Sequence, residues 1–310
     1  MNFSLTTLGV SSASPTTDRY PSAHILNICG RLFLIDCGEG AQMLMKRHGI
    51  SLMKLERIFL SHLHGDHVFG IFGLLSTLSM SGRTEPLHIY APEGFDGILD
   101  FFRGRFLERD SYLVEYHPLT SGGPDVVFED DALTVTALPL RHRVPTYGFL
   151  FREKEPGLNI RKSALSGHSL SVDEILALKS GRDVERPDGT LLRASDMTYV
   201  PYAPRSFAYI SDTAVFDTLP DMVRGVDLLY HEATFGDDCA EKAEEMFHST
   251  ARQAAMTALS AGACRLVIGH FSSRYKDPSV LLQQARDAFP DTDLAWEGLE
   301  FEVPVKKISL

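Results

Sequence analysis

Four cysteines are scattered over 310 residues, at Cys29, Cys37, Cys239 and Cys264, and no two of them form a C-x-x-C pair. No disulfide framework can be read from that spacing, which fits reduced core thiols of a cytoplasmic protein. No apolar stretch reaches the roughly 18 residues that a membrane-spanning helix needs, so no membrane partner is expected. The first residues, MNFSLTTLGVSSASP, lack both a basic segment and a signal-type apolar core, so no secretion signal is expected. Positive charge is also short. Thirty Lys and Arg stand against 41 Asp and Glu, a net charge of −11, which argues against non-specific nucleic-acid binding. No internal repeat is present.

What remains is ordinary globular text, 44% hydrophobic and 23% charged, long enough to bury a large core. Short apolar runs recur, among them RLFLIDCG, RIFLSH, LHIYAP, LTVTALPL, SFAYISD, VDLLYHEA and CRLVIGH; their length and their Gly or Pro boundaries mark strands. Helical patterns fall at 41–48, 69–80, 95–108, 248–261 and 279–288. Strands with helices between them predict an α/β protein of sheets faced by helices. Residues 152–196 differ. They are polar and Gly-containing, with one short helix near 172–179 as their only clear element, and they read as an insertion or arm within a single domain spanning 1–310.

The densest chemistry lies in RIFLSHLHGDHVFGI, residues 57–71. The apolar run reads as a buried strand ending at Ser61, and His62, His64, Asp66 and His67 fall in the loop beyond it. A lone histidine is usually structural, but this density has no packing rationale. Imidazole and carboxylate together suit zinc and related divalent ions. His62 and His64 are two apart, so in an extended segment they point the same way, and Asp66 and His67 then turn to another side. That arrangement could serve two ions.

Other ligand-type residues follow apolar runs in the same manner: His142, Asp212, the pair His231 and Glu232, and His270. Strand ends of layered α/β folds gather on one edge, so these residues converge with the 62–67 cluster. Two ions sharing a bridging carboxylate need roughly six or seven protein ligands, the number available here.

H-x-H-x-D-H followed by distant His, Asp and His resembles the metallo-β-lactamase superfamily. More narrowly the chain resembles ribonuclease Z, the tRNA 3′-processing endonucleases, through SPTTDRYPSAHIL, FLIDCGEGAQ, PLRHRVPTYGF, YISDT, YHEAT, HSTARQAA and GHFSSRY, which span nearly the whole chain in order. The resemblance implies a four-layer αβ/βα sandwich, the metallo-β-lactamase fold, with a protruding arm. It implies two zinc ions per subunit: His62, His64 and His142 on one, Asp66, His67 and His270 on the other, and Asp212 between them. Asp66 would orient the attacking water or take its proton. His248, opening the helical pattern at 248, would donate a proton to the leaving 3′ oxygen, with Glu232 orienting it. Ser272, Ser273 and Arg274 would hold substrate phosphate. Asp36 would fix a ligand loop rather than bind metal, and Gly38 and Gly40 would serve turns.

The resemblance also implies precursor tRNA as partner and a homodimer in which one subunit's arm serves the other's site. An acidic chain and a polyanionic substrate conflict. The insertion softens the conflict, because it is nearly charge-balanced while the remainder is strongly acidic. Lys162, Lys179 and Arg182, with Arg161, Arg186 and Arg193, lie in it. The family's arm carries a Gly-Pro segment before a Lys-rich helix; this arm has the helix but no Gly-Pro pair. The competing reading is a two-zinc phosphodiesterase acting on small or cyclic phosphodiesters, which would need no distant grip.

Overall fold

The computed structural model describes residues 2–106 and 111–308. The chain divides into two compact units, one of residues 1–128, 135–151 and 206–303, the other of residues 129–134, 152–205 and 304–310.

The first unit is built on two seven-stranded sheets. One runs in the order Glu300–Glu302, β1 (Phe3–Gly9), β2 (Ala23–Ile28), β3 (Arg31–Cys37), β4 (Leu55–Phe59), β5 (Leu87–Pro92) and β6 (Val114–Leu119). The other runs Thr292–Leu294, Leu266–Gly269, Leu228–Glu232, Ser206–Ile210, β9 (Tyr147–Glu153), β8 (Leu133–Pro139) and β7 (Asp125–Glu129). From β1 to β3 the pairing is antiparallel, and from β3 to β6 it is parallel. The strands from Ser206–Ile210 to Thr292–Leu294 are also parallel.

Alternation along the strands sends side chains into two different cores. On β3 and β4, Leu32, Leu34 and Ile58 join Leu44 and Met45 of helix α1 (Ala41–Arg47) and Leu74, Leu75 and Leu78 of helix α3 (Gly70–Met80). The one-turn helix α2 (Gly65–Val68) precedes α3, and α4 (Phe95–Phe106) adds Phe95 and Leu99. The neighbouring positions face the second sheet: the Phe33 ring meets Phe59 and Phe151, and Phe59 meets Phe149 and Phe151 at 5.3 Å between centroids. Buried on both faces, the parallel strands read as continuous apolar text. Helices Ala251–Ala261 and Ser279–Arg286 cover the second sheet through Ala254, Ala255, Ala258, Leu281 and Ala285. Helix, sheet, sheet, helix is the four-layer αβ/βα sandwich that the resemblance implies. No described helix is long and apolar enough to cross a membrane. The end of the helix expected over 95–108 lies outside the described residues.

The second unit contains more order than its sequence suggests. Besides helix Val172–Lys179, it has helices Lys162–His168 and Ala194–Met197 and the strand pairs Asn159–Ile160 with Thr198–Tyr199 and Val184–Glu185 with Leu191–Leu192. Two-residue strands and helices of one or two turns are too short to leave a periodic pattern, which is why only one helix was legible. Helix Val172–Lys179 starts on a reciprocal cap: the Ser171 hydroxyl accepts from Glu174 N–H, and the Glu174 carboxylate accepts from Ser171 N–H. A small core of Leu178, Leu192 and Ala194 gathers Ile160, Leu170, Val184 and Met197 around it.

Within this unit Glu153 and Arg205 form a buried pair. Glu153 Oε2 accepts from Arg205 N–H at 3.0 Å and Nε at 2.9 Å, and Oε1 accepts from Nη2 at 2.7 Å. Arg205 is 1% exposed. Glu153→Ala leaves that guanidinium without its carboxylate, and urea denaturation should show a loss of about 3–5 kcal/mol. A shift under about 1 kcal/mol would mean that the pair contributes as little as a surface ion pair.

Candidate metal centre

Strand ends deliver the site. After β4 the chain runs without regular structure through Ser61 to His64, and His64, itself extended, is the residue before α2. Asp66 and His67 therefore lie in a one-turn helix rather than in the open loop that the sequence suggests; four residues cannot show a helical period. Two glycines let this segment pack. A Cβ on Gly38 would come within 2.5 Å of the Asp66 carbonyl oxygen, and Gly40, with φ 86°, takes the left-handed turn that starts α1. His142 lies three residues beyond β8, Asp212 two beyond Ser206–Ile210, and His270 directly after Leu266–Gly269. His231 and Glu232 differ from expectation, being the last two residues inside their strand and fully buried.

The imidazoles converge on Asp212. Its Oδ2 stands 3.6 Å from His62 Nε2 and 3.9 Å from His142 Nε2; its Oδ1 stands 3.5 Å from His67 Nε2 and 3.2 Å from His270 Nε2. His64 turns Nδ1 toward His62 Nε2 at 3.0 Å. Asp66 Oδ2 lies 3.5 Å from His67 Nε2 and 3.7 Å from His270 Nε2. Two donor groups collect the expected ligands, His62, His64, His142 and Asp212 in one and Asp66, His67 and His270 in the other, and Asp212, His248 and His270 form an overlapping third.

The far nitrogen of four rings is held by protein. His67 Nδ1 faces Asp36 Oδ2 at 2.8 Å, His62 Nδ1 faces Ser61 Oγ at 3.0 Å, His142 Nδ1 donates to the Phe247 carbonyl at 2.9 Å, and His270 Nδ1 faces Thr234 Oγ1 at 2.9 Å. Such contacts fix the tautomer and aim the other nitrogen inward. Asp36 is the hub on one side, accepting also from Ser61 N–H, Ser61 Oγ and Tyr209 Oη at 2.7–2.9 Å. It stays out of the donor groups, as expected.

His248 and Glu232 form a second arrangement beside the first. His248 Nδ1 lies 3.0 Å from Glu232 Oε1, and its Nε2 points toward Asp212 Oδ2 at 4.0 Å. Glu232 also accepts from the N–H groups of Thr213, Thr234 and Ser249 and from Thr234 Oγ1. His248 does not open the helix. The helix begins at Ala251 on a cap formed by Thr250 with Gln253, and His248 sits before it, just after Phe247 in the left-handed conformation at φ 58°. A side chain on this bend is free of helical geometry. Asp36 (φ 55°) and His270 (φ 60°) share the same uncommon conformation, so three residues that frame the site carry backbone strain.

Electrostatics separate the rings into two kinds. Burial lowers the pKa of His62, His64 and His142, leaving them neutral with lone pairs available. Burial opposes charge on His67 too, but Asp36, Asp212 and Asp66 outweigh it and raise its pKa. Burial works against ionised Asp66, yet His67 and His270 bring it well below the usual carboxylate range. The same balance lifts His248 to about 9 through Glu232 and Asp212, and holds Glu232 at about 2 against its burial. Buried carboxylates thus pull protons onto neighbouring rings. Asp212 Oδ1 and His142 Nε2 are buried with no hydrogen-bond partner. Orphaned donor atoms in a site short of positive charge are what a divalent cation would satisfy, so these clusters fit a metal site.

Of the remaining expected residues, Ser272, Ser273 and Arg274 continue from His270. Arg274 is exposed, with its guanidinium 5.3 Å over the Phe235 ring, and that ring meets His248 edge-on at 6.0 Å. Lys162, Lys179 and Arg182 belong to the second unit and are exposed. Sequence reasoning missed Thr234, whose one hydroxyl touches Glu232, His248 and His270. It missed Ala13 as well, whose N–H donates to Asp66 Oδ2 at 2.8 Å. The signal for Thr234 was its place two residues after Glu232 in YHEAT.

Paired sheets carrying this His/Asp cluster define the class, a hydrolase of the metallo-β-lactamase fold. Superposition on the crystal structure of the metallo-β-lactamase fold protein YhfI from Bacillus subtilis gives a TM-score of 0.69 at 19% identity, covering 97% of this chain and 100% of that one. The crystal structure of human tRNase Z, short form (ELAC1), gives 0.72 at 25% identity, covering 97% and 99%. The family model described as Anti-Pycsar protein Apyc1 matches residues 3–155, less than half of the chain. Ribonuclease Z of Bacteroides fragilis is 43% identical over 297 residues, 96% of this chain and 98% of that one. The chain belongs to the ribonuclease Z family and is a nuclease.

Asp36 meets His67 at Nδ1 and belongs to neither donor group, so its removal isolates the role of support. Asp36→Ala should weaken metal retention about 10–100-fold, measured as metal content against a competing chelator. Unchanged retention would mean that Ser61 and packing alone hold His67 in place.

Proposed function

We propose that this chain is a zinc-dependent endoribonuclease that removes the 3′ trailer from precursor tRNA. The observation that carries the reading is the Glu232-held His248 directed at Asp212, beside two His/Asp donor groups, in a ribonuclease Z family chain. Imidazole and carboxylate donors suit zinc. In this reading His62, His64 and His142 would hold one ion, Asp66, His67 and His270 would hold another, and Asp212 would serve both. When bound, two such ions would stabilise charge on the attacked phosphate and acidify a water.

The protein's own groups do the rest. Asp66, steadied by Ala13 N–H, orients the attacking water or takes its proton. His248 gives a proton from Nε2 to the leaving 3′ oxygen, and Glu232 keeps Nδ1 engaged so that Nε2 faces the substrate. Ser272, Ser273 and Arg274 hold phosphate, with the Arg274 guanidinium lying 5.3 Å over the Phe235 ring. Residues 152–196 grip the tRNA and take no part in the chemistry. Lys162, Lys179 and Arg182 are exposed, Arg182 Nε donating to Ser180 Oγ at 3.0 Å, whereas Arg186 is tied to Glu174 at 2.6 Å and to the His168 carbonyl. Cytoplasmic location and a homodimer complete the reading.

His248→Ala should keep its metal and lose cleavage by about 10²–10⁴-fold, as for a lost general acid; His64→Ala should lose both. Metal analysis beside a cleavage assay separates them, and zinc lost in proportion to activity in His248→Ala would make His248 a ligand instead.

The substrate is tested by two substrates and one variant. With Lys162, Lys179 and Arg182 all replaced by alanine, processing of a pre-tRNA bearing a 3′ trailer should show a higher KM with little change in kcat and a shallower salt dependence. A small chromogenic phosphodiester should be hydrolysed as before. Normal pre-tRNA processing at every salt concentration would leave the arm without a role and favour the small or cyclic phosphodiesterase reading.

A further inference from the structure

A second group of metal-type side chains lies outside the site just described. On the neighbouring parallel strands β5 and β6, His88 is in register with Glu115 and Tyr90 with His117. Residues two apart on a strand share a face, so His88, Glu115 and His117 form one patch. β6 is the last strand of its sheet, and all three side chains are half-buried, which leaves an ion a path from solvent.

Their spacing is hard to explain by hydrogen bonds alone. His88 Nδ1 stands 3.1 Å from His117 Nε2 and 3.2 Å from Glu115 Oε2. With a proton on it, that nitrogen must share one N–H between two acceptors. Without a proton, it can accept from His117 but then faces the Glu115 oxygen lone pair to lone pair. A divalent ion removes the conflict. Tetrahedral ligands at about 2.0–2.1 Å from a zinc ion stand roughly 3.3 Å from each other, close to both separations.

The surroundings hold the donors in place. The His117 ring stacks on Tyr90 at 4.5 Å and 13°, and Tyr90 stacks on Phe59 at 4.7 Å and 12°. Arg57 and Arg83 are cations whose charge reaches His88; Glu56 compensates Arg57 at 3.3 Å, the Arg57 guanidinium lies 3.9 Å over the Phe128 ring, and Arg83 donates to the Glu85 and Pro86 carbonyls. Two imidazoles and one carboxylate, with one position left to water, make a common zinc donor set. We propose that His88, Glu115 and His117 bind one divalent ion of the zinc type, which clamps the edge strand β6 to β5. This inference rests on no part of the tRNA reading.

The test uses the full chain, stripped with chelator, re-equilibrated with zinc and freed of excess metal. The parent should hold one equivalent of zinc more than the double variant His88→Gln, His117→Gln, and the two should cleave substrate alike. A zinc-soaked crystal of the parent should show an anomalous peak between the three side chains, a measurement that does not depend on the variant folding. The anomalous map decides if the two results disagree: no peak at the patch overturns the proposal and leaves a hydrogen-bonded cluster.

Discussion

Asp212 is a carboxylate only 3% exposed, surrounded by the Nε2 atoms of five histidines within 4.0 Å. A charge so placed is costly unless positive charge comes to it. Every other feature of the site answers that requirement. Both sheets send strand ends toward it, His62 and His67 from the first, His142 and His270 from the second. The rings do not pack on one another for hydrophobic gain. They are spaced around a centre that needs a cation, and the orphaned Asp212 Oδ1 and His142 Nε2 mark where the protein alone cannot satisfy it.

The support for this centre is itself polar and buried. Asp36 collects Ser61, His67 and Tyr209, while Glu232 collects His248, Thr234 and the N–H groups of Thr213 and Ser249. Two carboxylates thus act as hubs behind the imidazoles, one beneath each sheet edge, and each hub is filled nearly to its capacity. Such networks rigidify when fully satisfied and are expensive when broken. Asp36, Phe247 and His270 add left-handed backbone at a cost of about 1–3 kcal/mol each. Ion binding at zinc sites is worth on the order of 10 kcal/mol. An ion held in such a site would offset that strain.

This hierarchy explains what could be read from sequence. H-x-H-x-D-H was legible because four donors in six residues have no packing use, and the apolar runs placed the remaining donors at strand ends. Sheets faced by helices followed from strand-length apolar runs with helices between them, whereas the four-layer order came only from the family resemblance. The hub contacts were not legible. Tyr209 reaches Asp36 across 173 positions of chain, and no local pattern encodes that distance. His248 was placed in a helix because HSTARQAA reads as helical throughout; only the Thr250 cap, with Gln253 answering it, moves the boundary three residues on. The arm's short elements failed for the opposite reason, since they are local but shorter than any period.

The charge balance looked like the strongest argument against a polyanionic substrate, and the structure changes its weight. At physiological ionic strength exposed charges are screened beyond about 8 Å, so a net charge of −11 says little about any one surface. Part of the acidity is internal. Asp36, Asp66, Asp212 and Glu232 are buried or nearly so and face histidines, where they serve cations rather than repel phosphates. Exposed cations decide contact with a nucleic-acid backbone, and Arg274, Lys162, Lys179 and Arg182 are exposed while Arg186 is consumed by Glu174. An acidic chain can therefore present a phosphate-binding surface when its carboxylates are spent inside on metal and imidazole and its cations are left outside. Composition records only the sum of the two.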